Sequence, residues 1–327
     1  MVGVGSDATT APSARIAPSV VALGGGHGLA VSLRALRRVT DRLTAIVGVA
    51  DDGGSSGRLR REFGILPPGD LRMAVAALCA DEPSARDWAE VLQFRFPGTG
   101  ELGGHAVGNV LMAALWERTG DPVAGLAELG SLVGAVGRVL PCSLEPLGIR
   151  ARIRGHDPAE PDAITDVAGQ VEIATTPGRV ERVWLEPADA RPCDAALQAV
   201  AAADAIVLGP GSWFTSVMPH LVLPELGAAV ASAPGRRIVV LNLDPQEGET
   251  GDFSPAEHIE ALRAHAPELR CDLVLADQRH VGAASTRTEL MDACKEWGAE
   301  LILADVAGFG DRHDPHKLSR VFDTVLA

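Results

Sequence analysis

Apolar runs and glycine turns divide this chain into short strands and amphipathic helices. The run Ser19–Leu23 (SVVAL) ends in Gly24-Gly-Gly-His-Gly28. Leu29–Val39 follows with apolar residues at 29, 33, 36 and 39, the spacing of one helix face. Thr44–Ala50 is a second buried-strand run and ends in Asp51-Asp-Gly-Gly-Ser-Ser-Gly57. Strand, glycine loop, helix and strand form a βαβ unit, which predicts a parallel sheet covered by helices.

From Asp70 to about Val136 the pattern is helical. Asp70 is placed to N-cap the first helix, Gly104-His105 precedes a helix over Ala106–Arg118, and Asp121-Pro122 has the form of an N-cap followed by an N1 proline. Between Arg138 and Pro187 the character changes. Arg138–Ser143, Leu147–Ile153, Gln170–Thr176 and Val180–Leu185 are β-prone runs broken by Pro and Gly, which predicts a small antiparallel insertion. The α/β rhythm returns with a helix over Pro192–Ala203 and a strand over Ala205–Leu208 that ends in Gly209-Pro-Gly-Ser212. Strands follow at Arg237–Leu243, Asp272–Ala276 and Leu301–Ala304, and a last helix runs over Pro315–Val325 behind Asp314. The expected fold class is α/β, a Rossmann-like parallel sheet with helices on both faces and a small antiparallel β insertion. The expected division is a disordered tail over 1–18, an α/β nucleotide-binding domain over 19–137 and 188–327, and a β-rich insertion over 138–187.

Composition narrows the function classes. The chain has 327 residues, 29 basic and 43 acidic, for a net charge of −14. That balance argues against nucleic-acid backbones and anionic membrane surfaces as partners. Only two lysines occur, Lys295 and Lys317, so nearly every positive charge is an arginine. Either codon bias or anion-holding loops accounts for that. Aromatics make up 4% and tyrosine is absent. The five cysteines are far apart and form no C-x-x-C pair, so free thiols in a reducing cytoplasm are expected. No apolar run reaches the roughly 20 residues of a membrane span, and no signal-peptide core is present. A cytoplasmic protein without membrane insertion is the expectation.

Three loops carry candidate chemistry. Glycines before a helix let its free N–H groups approach an anion, so Gly24, Gly25, Gly26 and Gly28, with His27 and Leu29 between and behind them, form a phosphate-loop-like turn. The strict dinucleotide fingerprint requires glycine where Leu29 stands, which weakens NAD(P) as a ligand. Asp51 and Asp52 end the second strand, where an acidic residue binds ribose hydroxyls, and two adjacent carboxylates also suit Mg²⁺. Gly53, Gly54 and Ser55 continue that loop and Arg58 follows it. The third loop is Gly209, Pro210, Gly211 and Ser212, with Thr215 and Ser216 in the next turn, where hydroxyls and N–H groups form a second anion cradle or Ser212 simply caps its helix. Both glycine loops fall on the carboxyl edge of the sheet, where open α/β sheets bind ligands. Asp70 and Arg72, with His105 and Asn109 one helical turn apart, are candidate walls, and Arg312 is a candidate anion contact. No Walker motif, nucleophile elbow or H-E-x-x-H is present, so binding loops stand out more than a catalytic engine.

Together these motifs resemble one family. Leu-Gly-Gly-Gly-His-Gly-Leu at 23–29, Ala-Asp-Asp-Gly-Gly-Ser-Ser-Gly-Arg-Leu-Arg at 50–60 and Pro-Pro-Gly-Asp-Leu-Arg at 67–72 open its signature. Gly-His-Ala-Val-Gly-Asn at 104–109, Leu-Gly-Pro-Gly-Ser-Trp-Phe-Thr-Ser at 208–216, Leu-Asn-Leu…Gly-Glu-Thr at 241–250 and Arg-His-Asp-Pro at 312–315 complete it. The chain resembles the YvcK family, the gluconeogenesis factors, over roughly residues 19–325. That family is related in fold to the CofD family, the 2-phospho-L-lactate transferases. The resemblance implies a CofD-like fold, UDP-N-acetylglucosamine as a small anionic ligand, and a regulatory role in cell-wall supply and cell shape rather than an established reaction. It is compatible with a homodimer and with a regulatory protein partner. A transferase of CofD type implies Mg²⁺ instead, held by Asp51, Asp52 or Asp70; otherwise no metal is expected.

Overall fold

A computed structural model describes residues 17–246, 248–310 and 312–327. The proposed tail therefore lies almost wholly outside the described residues. Its last two residues are tied to the body, because Thr40 donates to the Pro18 carbonyl at 2.6 Å and Arg42 to the Ala17 carbonyl at 2.9 Å.

In chain order the elements are β1 (Val20–Gly24), α1 (Gly26–Leu36), β2 (Leu43–Val47), α2 (Gly54–Phe63), α3 (Pro68–Leu78), α4 (Pro83–Gln93), α5 (Val107–Thr119), α6 (Pro122–Leu132) and β3 (Arg138–Pro141). The insertion holds β4 (Gly148–Arg154), β5 (Ile164–Ala168), α7 (Gln170–Ala174) and β6 (Arg179–Glu186). The second half adds α8 (Asp194–Ala201), β7 (Ala205–Leu208), α9 (Met218–Val222), α10 (Pro224–Ser232), β8 (Arg236–Val240) and α11 (Pro255–His265). It closes with β9 (Leu273–Asp277), α12 (Ala284–Trp297), β10 (Glu300–Ala304) and α13 (Pro315–Leu326).

Seven strands form one parallel sheet in the order β10-β9-β8-β7-β1-β2-β3. Strands β1, β2, β7 and β9 are buried along their whole length, as continuous apolar runs in a helix-covered sheet must be. The second sheet is antiparallel, β5-β4-β6. The outer face of β4 carries Arg150, Arg152 and Arg154, paired with Glu186, Asp166 and Glu181.

Two assignments change. Arg138–Pro141 belongs to the main sheet, where Thr44 pairs with Arg138 and Val47 with Pro141, rather than to the insertion. A four-residue run reads the same in either sheet, and its partner β2 lies far away in sequence. Gln170–Ala174 is a helical turn, not a strand. The expected caps Asp121 and Asp314 do accept from the first turns of α6 and α13. No single helix among the described residues is long and apolar enough to cross a membrane.

Candidate functional site

Strand β1 is the pivot of the sheet. The chain moves outward on one side through β2 and β3, then on the other through β7 to β10, so the topological switch lies between β1 and β7. Open α/β sheets bind ligands outside the carboxyl ends of strands at that point. The turns that leave these two strands are the two glycine loops, and they touch. A Cβ on Gly28 would fall 2.6 Å from Gly211 Cα and closer still to the Pro210 carbonyl. Ser32 of α1 donates to the Gly209 carbonyl at 2.9 Å. Asn242 accepts from the Gly211 N–H and donates to the Gly211 carbonyl, both at 2.9 Å.

The first turn is a glycine-framed helix N-terminus. Gly25 is the N-cap of α1, and Gly26 has a φ of +57°, which favours glycine. Asp70 enters this turn, for its carboxyl leaves no room for a Cβ on Gly25. Ser216 Oγ lies on the same side, 3.4 Å from where that Cβ would stand. Burial, then the charge of Asp51, pushes the Asp70 carboxyl up to about 7, while the Gly26 N–H and Arg72 oppose that shift. Helix geometry leaves the N–H groups of His27 and Gly28 without an intrahelical acceptor. His27 is exposed at this mouth, and desolvation followed by the charges of Arg312, Arg34 and Arg72 lowers its pKa.

Asp51 and Asp70 are brought together, but Asp52 is drawn elsewhere. Asp51 Oδ1 accepts from the Gly53 N–H at 2.9 Å and so shapes the turn into α2, which opens at Gly54 with a φ of +45°. Asp52 Oδ1 accepts from the Val171 N–H at 3.2 Å, at the start of α7. Among the described residues no three His, Cys, Asp or Glu side chains converge as a metal set.

The second turn differs from expectation. A π-helical turn, Trp213–Val217, leads into α9, and Ser212 makes no side-chain cap to it. The Phe214 N–H donates to Glu249 at 2.9 Å, and the Thr215 hydroxyl donates to the same carboxylate. Glu249 is only 3% exposed, and burial raises its pKa. The Glu249 carboxyl thus occupies backbone and hydroxyl donors of the second turn, where a ligand cradle was expected. Ser212 Oγ faces Gln246 at 3.4 Å.

Beside the cleft, Ser55 Oγ is 2.9 Å from His105 Nδ1 and accepts from Asn109 Nδ2 at 3.0 Å. His105 and Asn109 do share a partner, but it is Ser55, and all three are buried. Cavities lie at both ends of the sheet. One of about 190 Å³ adjoins Asn242 and is lined by Asp244, His258, His280 and Thr286. A larger one of about 360 Å³ opens at the opposite, amino end of β1 and β2, beside Arg42 and Arg138.

A model of the CofD family, described as 2-phospho-L-lactate transferase CofD, matches residues 20–307. The chain belongs to the CofD family. Within that family its curated relatives include the putative gluconeogenesis factor of Mycobacterium tuberculosis, 50% identical over 94% of this chain and 90% of the relative. The gluconeogenesis factor of Bacillus subtilis is 34% identical over 94% of this chain and 98% of that protein. The crystal structure of a UPF0052-family protein from Bacillus halodurans superimposes with a TM-score of 0.82 at 33% identity, covering 94% of this chain and 99% of that one.

On this CofD-family scaffold several expected ligand contacts are structural. Leu29 is buried under the first turn, 3.4 Å from where a Cβ on Gly24 would stand. Its apolar side chain packs the helix onto β1 instead of meeting a ligand. Asp70 is not an N-cap, because Pro67-Pro68 starts α3 earlier and places it in the first turn. Arg58 donates to the Gly103 and Glu101 carbonyls and anchors that loop. Arg72 is buried and donates to Gln93. Of two further basic residues near the site, the motif reading contained Arg60 but missed Arg34. Arg60 donates to the Leu147 carbonyl at 2.8 Å within reach of the Asp51 and Asp52 charges. Arg34 lies seven residues after His27, a spacing that alone places both on one helix face. Glu249 lies in the Gly-Glu-Thr motif at 248–250, but the motif assigned it no role.

Proposed function

We propose that this chain binds a nucleotide sugar, UDP-N-acetylglucosamine or a close relative, and acts as a regulatory protein of cell-wall precursor supply and cell shape under gluconeogenic growth. The observation that carries the reading is the contact of two glycine turns at the switch point of a parallel sheet. The diphosphate sits on the first turn, against the N–H groups of His27 and Gly28 with charge support from Arg312 and Arg34. Ribose lies toward Asp51. The second turn is the opposing wall, since Glu249 already fills its donors. The relatives named gluconeogenesis factor support the link to gluconeogenic growth.

Thermal shift is the test. Ligand at about one hundred times its Kd stabilises the native state by roughly 2.7 kcal/mol. UDP-N-acetylglucosamine raises the melting temperature, whereas NAD does not. No shift with any uridine nucleotide would sink the proposal.

A second reading is a Mg²⁺-dependent transferase, favoured by the Asp51–Asp70 pair. Mg²⁺ is commonly held by one or two carboxylates and completed by water and substrate phosphates, so this pair fits it. Asp51 and Asp70 would hold the ion, which would neutralise phosphate charge, while Asp52 stays with Val171. Turnover that requires Mg²⁺ and disappears in Asp51→Asn selects this reading.

A further inference from the structure

The cavity of about 190 Å³ lies at the carboxyl ends of β8 and β9. Asn242, on its wall, holds both the N–H and the carbonyl of Gly211 at 2.9 Å, and Gly211 is the residue that abuts Gly28. The cavity therefore adjoins the paired turns, on the side of β1 away from β2 and Asp51. Its volume is below the roughly 300–1,000 Å³ of a pocket that takes a drug-sized ligand, so it suits one ring and not a whole nucleotide.

Its polar groups are mainly acceptors. His258 is only 5% exposed. Its Nδ1 stands 2.9 Å from the Ser254 carbonyl, which can only accept, so Nδ1 carries the proton and Nε2 a lone pair. That buried Nε2 has no partner among the described residues. The Trp213 and Phe253 rings meet the imidazole edge-on, with centroids at 5.4 and 5.5 Å, and Trp213 donates to the His258 carbonyl at 3.0 Å, so the ring is held in place. His280 is arranged in the same way. Its Nδ1 is 2.9 Å from Asp277 Oδ1, and that buried carboxylate also accepts from the Arg279, Val306 and Ala307 N–H groups. Nδ1 is thus the donor, and Nε2 is left 3.9 Å from Asp244 Oδ2, beyond hydrogen-bonding distance. Leu243, Phe253 and Val281 supply apolar walls. Such a cavity calls for a ring with C–H faces and several hydrogen-bond donors. A sugar ring offers both, whereas uracil in a nucleotide offers a single N–H.

We propose that this cavity is the sugar subsite, where His258 and His280 accept hydrogen bonds from the sugar of the bound nucleotide sugar. This rests on the nucleotide-sugar reading above. It adds a direction to the ligand, with the sugar toward β8 and β9, the phosphates on the first turn and the ribose toward Asp51.

The test compares the native chain, His258→Leu and His280→Leu by calorimetric titration with UDP-N-acetylglucosamine and with UDP. Loss of one neutral hydrogen bond weakens binding by roughly 2- to 12-fold. Both variants are expected to weaken UDP-N-acetylglucosamine binding within that range and to leave UDP binding unchanged. Ligand-free melting establishes that each variant is folded, and His280→Leu, at a half-buried position, carries the test should His258→Leu fail to fold. Equal weakening for the two ligands assigns the cavity to the uridine part and overturns the sugar subsite. Unchanged binding of both ligands in a folded variant also overturns it. In either case the nucleotide-sugar reading stands. Failure of the native chain to bind any uridine nucleotide overturns both.

Discussion

Gly28→Ala puts the contact between the two turns under direct strain. Gly28 lies inside α1 with ordinary helical backbone, so its replacement by alanine would normally stabilise the helix by about 1 kcal/mol. Here the new Cβ would stand 2.6 Å from Gly211 Cα. Carbon atoms favour a separation of roughly 3.5 Å or more, so the turns must part by about 1 Å. Both neighbours are backbone, and Asn242 and Ser32 tie the second turn in place. Overpacking of this kind costs about 1–3 kcal/mol, which exceeds the helical gain. Gly130→Ala in α6 is the control, because its nearest neighbour is an ordinary 3.7 Å contact with Ala135. Urea unfolding of both variants, without ligand, reads the difference. Gly28→Ala should lose stability and Gly130→Ala should hold or gain it. Equal behaviour of the two would refute the abutment of the turns, and with it the paired-loop site.

Two further perturbations probe the neighbouring polar groups. Ser55→Ala strands the buried His105 and Asn109 side chains, and should lower the urea midpoint by about 1–3 kcal/mol of stability; an unchanged midpoint contradicts the trio. Asp70 has a folded-state pKa near 7 against 3.8 for the free side chain, so its contribution to stability is present below 3.8 and is lost as pH rises through 7. Asp70→Asn removes that slope, and the variant should gain on the native chain as pH rises from about 4 to about 7 in chemical denaturation. Parallel curves would contradict the raised pKa.

The parts of this molecule that announced themselves are those whose cause is local. An apolar run followed by glycines specifies β1, its turn and α1, and the same grammar marks β7 and the turn over 209–212. Caps such as Asp121 and Asp314 act within their own helices, so their role follows from position. What stayed hidden depends on partners distant in sequence. β3 is short and takes its sheet from β2, across five intervening helices. In α7, Val171 and Ile173 alternate like a strand, yet the Asp52 carboxylate meets the helix start from 119 residues away. Glu249 reaches Thr215 from 34 residues downstream, and only the folded chain shows that its carboxyl already takes donors of the second turn. Leu29, Arg58 and Thr215, expected at the ligand from their motifs, each make a contact within the chain that depends on the fold.

The most direct measurement is a crystal structure of the chain with UDP-N-acetylglucosamine. The account predicts phosphate oxygens within hydrogen-bonding distance of the His27 and Gly28 N–H groups, with the Gly211 turn as the facing wall. Phosphates bound at the opposite end of the sheet, in the cavity beside Arg42 and Arg138, would contradict it.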